Sequence, residues 1–202
     1  MSLVSNLFLL FVAASILIYY IVPRKSQWIV LLIFSYLYYI AGGPRYVVFI
    51  LFSTLVTWLM ALLIEKAEGK ENHKGARKLL ILGLILNFGM LGIVKYTNFA
   101  VENINALLHL NLRGIQLLLP LGISFYTFQI LSYIIDVYRG HVKVQTNLLD
   151  FALYVTMFPQ LIAGPIVQYA DVDRQLHVRK ESWGKFGEGS MFFIRGLAKK
   201  VL

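Results

Sequence analysis

The stretch MFPQLIAGPIVQY, residues 157–169, decides how the fold of this chain is interpreted. It lies within residues 151–170, a run without charged residues that is long enough to cross a bilayer, for which about 20 apolar residues suffice. Four residues near its middle disfavour a regular apolar helix: Pro159, Gln160, Gly164 and Pro165. Each proline removes a backbone donor, and a glycine before proline favours a bend. The sequence therefore predicts a backbone that is broken at membrane depth.

The composition places this segment in an integral membrane protein. Hydrophobic residues make up 58% of the 202 residues and charged residues only 14%, with a mean hydropathy of +0.70. Soluble domains have about 45–50% apolar residues. Five further runs lack charge: residues 1–23, 26–44, 46–64, 79–94 and 114–135. Continuous apolar runs favour helices over barrel strands, so we predict an all-α integral membrane protein, a multi-helix bundle with about five spanning helices plus a re-entrant segment broken by Pro and Gly.

The basic residues predict the topology, because positively charged loops remain in the cytoplasm. Of the 19 Lys and Arg residues, nine follow the first, third and fifth runs, and three follow the second and fourth. This asymmetry predicts an extracytoplasmic N-terminus. The remaining seven basic residues follow residues 151–170. If this segment enters the membrane and returns to the same side, all seven stay in the cytoplasm, which gives sixteen basic residues inside and three outside. A Pro-kinked spanning helix is the alternative interpretation.

Few residues suited to catalysis stand in a recognisable pattern. The absence of cysteine excludes disulfides, thiol nucleophiles and thiolate metal sites. None of the four histidines has a second histidine at metal-ligand spacing: His73, His109, His141 and His177. Ser124 lacks the Gly-x-Ser-x-Gly elbow of a hydrolase nucleophile. We predict no metal site, and we attribute the net charge of +9 to topology, with no nucleic-acid partner.

A second helical pattern follows Lys95. NFAVENINALLHLNL, residues 98–112, places Ala100, Ile104 and Leu107 at helical spacing. We predict a separate helix, capped by Asn98, that lies at the outer membrane interface.

A resemblance to a known family rests on two blocks: LPLGISFYTFQILSYIIDVYRG, residues 119–140, and NLLDFALYVTMFPQLIAGPIVQYADVDRQL, residues 147–176. They resemble the membrane-bound O-acyltransferase (MBOAT) family, in its bacterial alginate O-acetyltransferase branch. Three further stretches resemble this branch in the same order: FSYLYYIAGGPRYVVFILFSTLVTWLM, KYTNFAVENINAL and FFIRGLAKKVL. The resemblance implies that residues 1–202 are the N-terminal part of a single MBOAT-type membrane domain. Because the chain stops inside an apolar helical pattern, we expect a domain truncated at its C-terminus.

The resemblance implies transfer of an acyl group, expected to be acetyl, to hydroxyls of an extracytoplasmic polysaccharide such as alginate. Acetyl-CoA or another cytoplasmic acyl donor would be a substrate, and no bound cofactor is expected. A separate extracytoplasmic acetyltransferase is the implied partner. The family's catalytic histidine, which neighbours a tryptophan, would act as general base. No histidine here stands in such a motif, so we expect the catalytic residue beyond Leu202 and no activity from these 202 residues alone.

We hypothesise that the broken segment takes part in binding the acyl donor. Irregular backbone at membrane depth needs surrounding protein or a water-filled cavity, because lipid cannot bond the freed N–H and C=O groups. The hypothesis is a cytoplasm-facing tunnel for the acyl donor. Residues of the segment shape this tunnel, and two nearby arginines attract the phosphates of the donor. The candidate residues are Pro159, Gln160, Gly164, Pro165, Arg174 and Arg179. The alternative is that the arginines set topology or bind anionic membrane lipid.

Two other function classes remain open from the residues. A non-catalytic membrane scaffold for polysaccharide modification would have a similar sequence, as would a transporter component of polysaccharide export. Transporters usually show a second broken segment in a related half, and none is visible here. In every case we predict a multi-pass protein of the cell membrane.

Overall fold

The computed structural model describes residues 5–108, 122–163, 166–177 and 182–201. Within these ranges every regular element is helical, which confirms the all-α prediction. The α-helices, in chain order, are α1 (Asn6–Ile21), α2 (Gln27–Gly42), α3 (Val47–Glu68), α4 (His73–Leu108), α5 (Ile123–Tyr138), α6 (Leu148–Thr156), α7 (Phe158–Ala163), α8 (Tyr169–His177) and α9 (Trp183–Val201). Short 3-10 turns at Arg24–Ser26 and Pro44–Tyr46 precede α2 and α3.

Two of these helices are long and apolar enough to cross a membrane. One is α3 with its preceding turn, 25 residues from Pro44 to Glu68, and the other is α4, with 36 residues. Helices α1, α2 and α5 have 16 residues each. At about 1.5 Å per residue they measure about 24 Å, less than the roughly 30 Å of the hydrocarbon core.

The prediction of a separate helix capped by Asn98 is wrong, because α4 continues without a break to Leu108. Side chains in this part bond backward to the carbonyl of the preceding turn, which a continuous helix tolerates. Thr97 Oγ1 donates to Ile93 O, and Asn103 Nδ2 donates to Phe99 O at 2.7 Å. Local side-chain bonds of this kind coexist with helical backbone, so the polar residues after Lys95 do not end the helix.

The core lies where α3, α4 and α5 pack against one another. Gly83 on α4 allows the closest approach, because a Cβ there would lie 2.7 Å from Ile134 Cδ1 on α5. Asn87, one turn further along α4, is fully buried and donates to Thr57 Oγ1 of α3 at 3.0 Å. A small residue and an interhelical hydrogen bond together hold the three helices, as is common in membrane bundles.

The last described helix, α9, makes few contacts with the rest. Phe186 packs edge-on against Tyr20 of α1, with ring centroids 5.8 Å apart. Other large side chains of α9 face outward, among them Trp183, which is 90% exposed. The helix therefore belongs to the periphery of the described part.

Candidate functional site

The broken segment begins with α6, whose first turn is fixed by a side-chain cap. Asn147 Oδ1 accepts a hydrogen bond from Leu149 N at 3.0 Å, and Asn147 Nδ2 donates to Asp150 Oδ2 at 3.0 Å. The cap satisfies one of the first-turn N–H groups that have no partner within a helix. Six consecutive residues of α6, 151–156, are buried. Protein therefore surrounds the helix on every face from Phe151 onward, whereas its first turn is partly exposed.

At Met157 the backbone leaves the helical conformation, and α7 begins at once with the buried Phe158, which the exposed Pro159 follows. Phe158 N, an N–H group at the start of a helix, donates to Ser35 Oγ of α2 at 3.2 Å. The Phe158 ring is 5% exposed and packs against Phe11 and Tyr38, with centroids 5.5 and 6.0 Å away. Helix α2 thus supplies both a polar and an aromatic contact at the point of the break.

After α7 the chain returns to the start of α6. Tyr154 Oη donates to the carbonyl oxygen of Val167 at 2.9 Å, and Gln145 Nε2 donates to Tyr169 Oη at 3.0 Å. Gln145 precedes α6, whereas Tyr169 is the first residue of α8. The entry and the exit of the broken segment therefore lie side by side.

An aromatic cluster fills the space between these two limbs. The Tyr133 ring lies 4.7 Å from Phe151 and 4.9 Å from Tyr169, and Tyr154 lies 5.1 Å from Tyr169, measured between centroids. Tyr169 Oη donates to Asp173 Oδ1 at 2.9 Å. Burial, followed by the bond to this carboxylate, raises the pKa of Tyr169. Its hydroxyl therefore stays protonated and remains a donor.

Only some of the sequence-predicted site residues lie within the described part of the structure. Pro159 and Gln160 lie on α7, and Gln160 Oε1 is buried without a hydrogen-bond partner among the described residues. Arg174 lies on α8, with its side chain outside the described part, and Gly164, Pro165 and Arg179 lie outside the described residues altogether.

Sequence reasoning missed a cleft at the ends of α3 and α5. Its volume is about 570 Å³, within the range of small-molecule sites. Residues of α3, of the end of α5 and of the following turn line it: Glu65, Glu68, Val137, Tyr138, Arg139, Gly140, His141, Val142 and Lys143. The basic residues among them carried only a topology signal in the sequence, because nothing there shows that α3 and α5 end together.

Two histidines at this end lie near carboxylates. His73 Nδ1 lies 2.6 Å from Glu68 Oε2, and His141 Nδ1 lies 3.7 Å from Asp136 Oδ1. Within the described ranges no group of three or more His, Asp or Glu side chains could hold a metal ion. We assign neither histidine a catalytic role.

Relatives with curated names match nearly the whole chain. A probable alginate O-acetylase AlgI of Pseudomonas syringae pv. tomato is 38% identical over 204 residues, which cover 98% of this chain and 39% of that protein. The chain is thus similar, over nearly its whole length, to part of an alginate O-acetylase. The same protein of Pseudomonas aeruginosa is 38% identical, with 98% of this chain and 38% of that protein covered. A peptidoglycan O-acetyltransferase of Helicobacter pylori is 31% identical over 202 residues, 87% of this chain and 37% of that protein.

These homologues confirm the resemblance to the alginate O-acetyltransferase branch of the MBOAT family. The chain spans about two fifths of the length of the relatives it matches. No family model matches it, and no solved structure gives a significant match.

Proposed function

We propose that this chain is part of a membrane-bound O-acetyltransferase that modifies hydroxyls of an extracytoplasmic polysaccharide. The observation that carries the proposal is the 38% identity, over 98% of the chain, to a probable alginate O-acetylase. The relative named a peptidoglycan O-acetyltransferase widens the acceptor class to cell-surface glycans in general. Cytoplasmic acetyl-CoA, or another acyl donor, supplies the acetyl group.

The topology we propose has five spanning helices, α1 to α5, an extracytoplasmic N-terminus and a re-entrant segment formed by α6 and α7. The bond between Gln145 and Tyr169 supports re-entry, because it holds the chain before α6 beside the chain after α7. The distribution of Lys and Arg supports the same orientation, with positive loops in the cytoplasm. The enzyme is then a multi-pass protein of the cell membrane, in contact with lipid along α1 to α5.

The donor enters, in this proposal, at the cytoplasmic end near the return of the broken segment. Pro159, Gly164 and Pro165 shape the segment, and Gln160 offers it a polar group. Arg174 and Arg179 attract the phosphates of the donor. The cleft at the ends of α3 and α5 brings Arg139 and Lys143 near the entry of the segment, but Glu65 and Glu68 line it as well, so these four side chains add no net charge to the entrance.

The chemistry forms an ester C–O bond at the acceptor hydroxyl and breaks the C–S bond of a thioester donor. The hydroxyl proton passes through a general base to the departing thiolate. We assign no residue of this chain to that base. An extracytoplasmic acetyltransferase would act as partner and complete the transfer to the polymer.

The test is the ester content of the cell surface. Cells lacking the full-length gene should lose acetate released from their surface polysaccharides by mild alkali, and the restored gene should recover it. Unchanged acetate in the deletion strain would contradict the proposed function.

A second experiment tests the donor entrance in the purified full-length enzyme. Arg174→Gln combined with Arg179→Gln should raise the donor KM, because two phosphate-attracting charges are lost. Lys185→Gln on the peripheral helix α9 is the matched control, and its donor KM should stay the same. A double variant with the parent's donor KM would rule out this entrance.

A further inference from the structure

Gln145 bonds through all four of its polar groups. Its N–H donates to Tyr133 Oη at 2.9 Å, and its carbonyl oxygen accepts from Trp58 Nε1 at 2.9 Å. In the side chain, Nε2 donates to Tyr169 Oη at 3.0 Å, and Oε1 accepts from Asn147 N at 2.9 Å. No backbone ladder supports this extended stretch between α5 and α6, so these bonds hold it in place.

The four partners belong to four different parts of the fold. Trp58 lies on α3, Tyr133 on α5, Asn147 caps α6, and Tyr169 begins α8. The backbone of Gln145 therefore anchors to the continuous helices, whereas its side chain joins the entry and the exit of the broken segment. A single residue links the rigid core to both limbs.

The hydrogen bonds across this junction have a fixed direction. Tyr169 Oη accepts from the Gln145 amide and donates its own hydrogen to Asp173 Oδ1 at 2.9 Å. The amide supplies a donor towards Tyr169 and an acceptor towards Asn147 from one side chain, which an ionised carboxylate of the same length cannot do. The tyrosine is 2% exposed, so a mismatch here leaves a buried polar group unsatisfied.

We propose that Gln145 is a positioning residue: it clasps the return limb, residues 166–173, against the core and so sets the opening of the donor entrance. This inference rests on the proposed function for the donor entrance, but the clasp itself does not depend on it. Gln145 acts through Tyr169 and Asp173 and touches no substrate.

The experiment measures release of the return limb in the full-length protein. The reporter is Val172→Cys, because Val172 is 7% exposed and packs in the core, so a thiol there reacts with maleimide only when α8 lifts. The chain has no cysteine of its own, and any elsewhere in the protein are first replaced. Val94→Cys on α4, with 6% exposure, is the matched control.

Gln145→Glu keeps the shape of the side chain but removes the donor. Two carboxylates, Glu at 145 and Asp173, then face the single hydroxyl of Tyr169, and labelling of the reporter should accelerate by about tenfold. Adding Asp173→Asn should restore slow labelling, because the new amide donates to Tyr169, which then donates to Glu at 145. Tyr169→Phe should release the limb as well, and this variant provides the test if Gln145→Glu does not fold.

The outcomes separate the clasp from the donor entrance. Faster labelling together with a raised donor KM and little change in kcat supports the whole inference. Faster labelling with an unchanged donor KM retains the clasp and overturns the placement of the donor entrance. Labelling at the parent rate in both Gln145→Glu and Tyr169→Phe, or equal acceleration at the Val94→Cys control, overturns the clasp.

Discussion

The α3–α4–α5 core and the broken segment α6–α7 satisfy their backbone in different ways. The core helices bond their own N–H and C=O groups, and their side chains add bonds within a helix, as from Thr54 to Ile50 O, and between helices, as from Asn87 to Thr57. In the broken segment, side chains supply the hydrogen-bond partners that the backbone lacks: Ser35 accepts from Phe158 N, and Tyr154 donates to Val167 O. The difference shows that a non-helical path inside a bundle depends on distant side chains, because the backbone cannot supply its own partners.

The largest expected effect concerns packing that both regions share. Phe151 is fully buried on α6 and lies 4.7 Å from the ring of Tyr133 on α5. Phe151→Ala should lower the free energy of unfolding by about 3–5 kcal/mol, since it leaves a cavity. SDS titration of the full-length protein in mixed micelles measures this. Leu149→Ala, at a residue 50% exposed on the same helix, should change stability by no more than about 0.5 kcal/mol; equal losses would show that α6 is not enclosed.

The next prediction addresses the side-chain support of the broken backbone. Tyr154→Phe removes the donor to Val167 O and should cost about 1–3 kcal/mol, because a carbonyl loses its partner in the interior. The same SDS titration measures the loss. Tyr20→Phe, whose side chain is 51% exposed, is the matched control and should be near neutral. A neutral Tyr154→Phe would mean that this carbonyl finds another partner, and the contrast between the regions would weaken.

A smaller effect is expected at the start of α6. Asn147→Ala removes the cap on Leu149 N and should destabilise by about 1 kcal/mol, whereas Asn147→Ser should retain most of the stability because serine also caps. Comparing the two unfolding transitions isolates the cap from the loss of side-chain volume. Equal destabilisation by both variants would assign the effect to the bond with Asp150.

The smallest effect belongs to the continuous core. Thr57→Val keeps the shape but loses the acceptor for Asn87 Nδ2, and interhelical bonds of this kind average about 0.6 kcal/mol in membrane helices. The measured loss should therefore be smaller than that of Tyr154→Phe. If it is larger, polar contacts in the core matter as much as those of the broken segment, and the comparison fails.

The sequence predicted the helical class, because apolar runs act locally. It placed the break at Pro159, Gln160, Gly164 and Pro165, whereas within the described residues the helix is interrupted at Met157, and Pro159 and Gln160 lie on α7. It did not predict the length of α4, since Asn98 has the chemistry of a cap but the helix continues through it. The roles of Gln145 and Tyr169 were also missed. Gln145 lies in HVKVQTN, residues 141–147, a polar connection whose partners are up to 87 residues away, and no local pattern reports such a contact.

The bond from Trp58 gives the molecule an optical property. Its indole N–H donates to the carbonyl oxygen of Gln145 at 2.9 Å, so the emission of this tryptophan depends on whether that loop is seated. The chain contains two other tryptophans, Trp28 and Trp183. With both replaced by phenylalanine, the emission of Trp58 alone can follow the loop in real time, without a label, as an acyl donor is added.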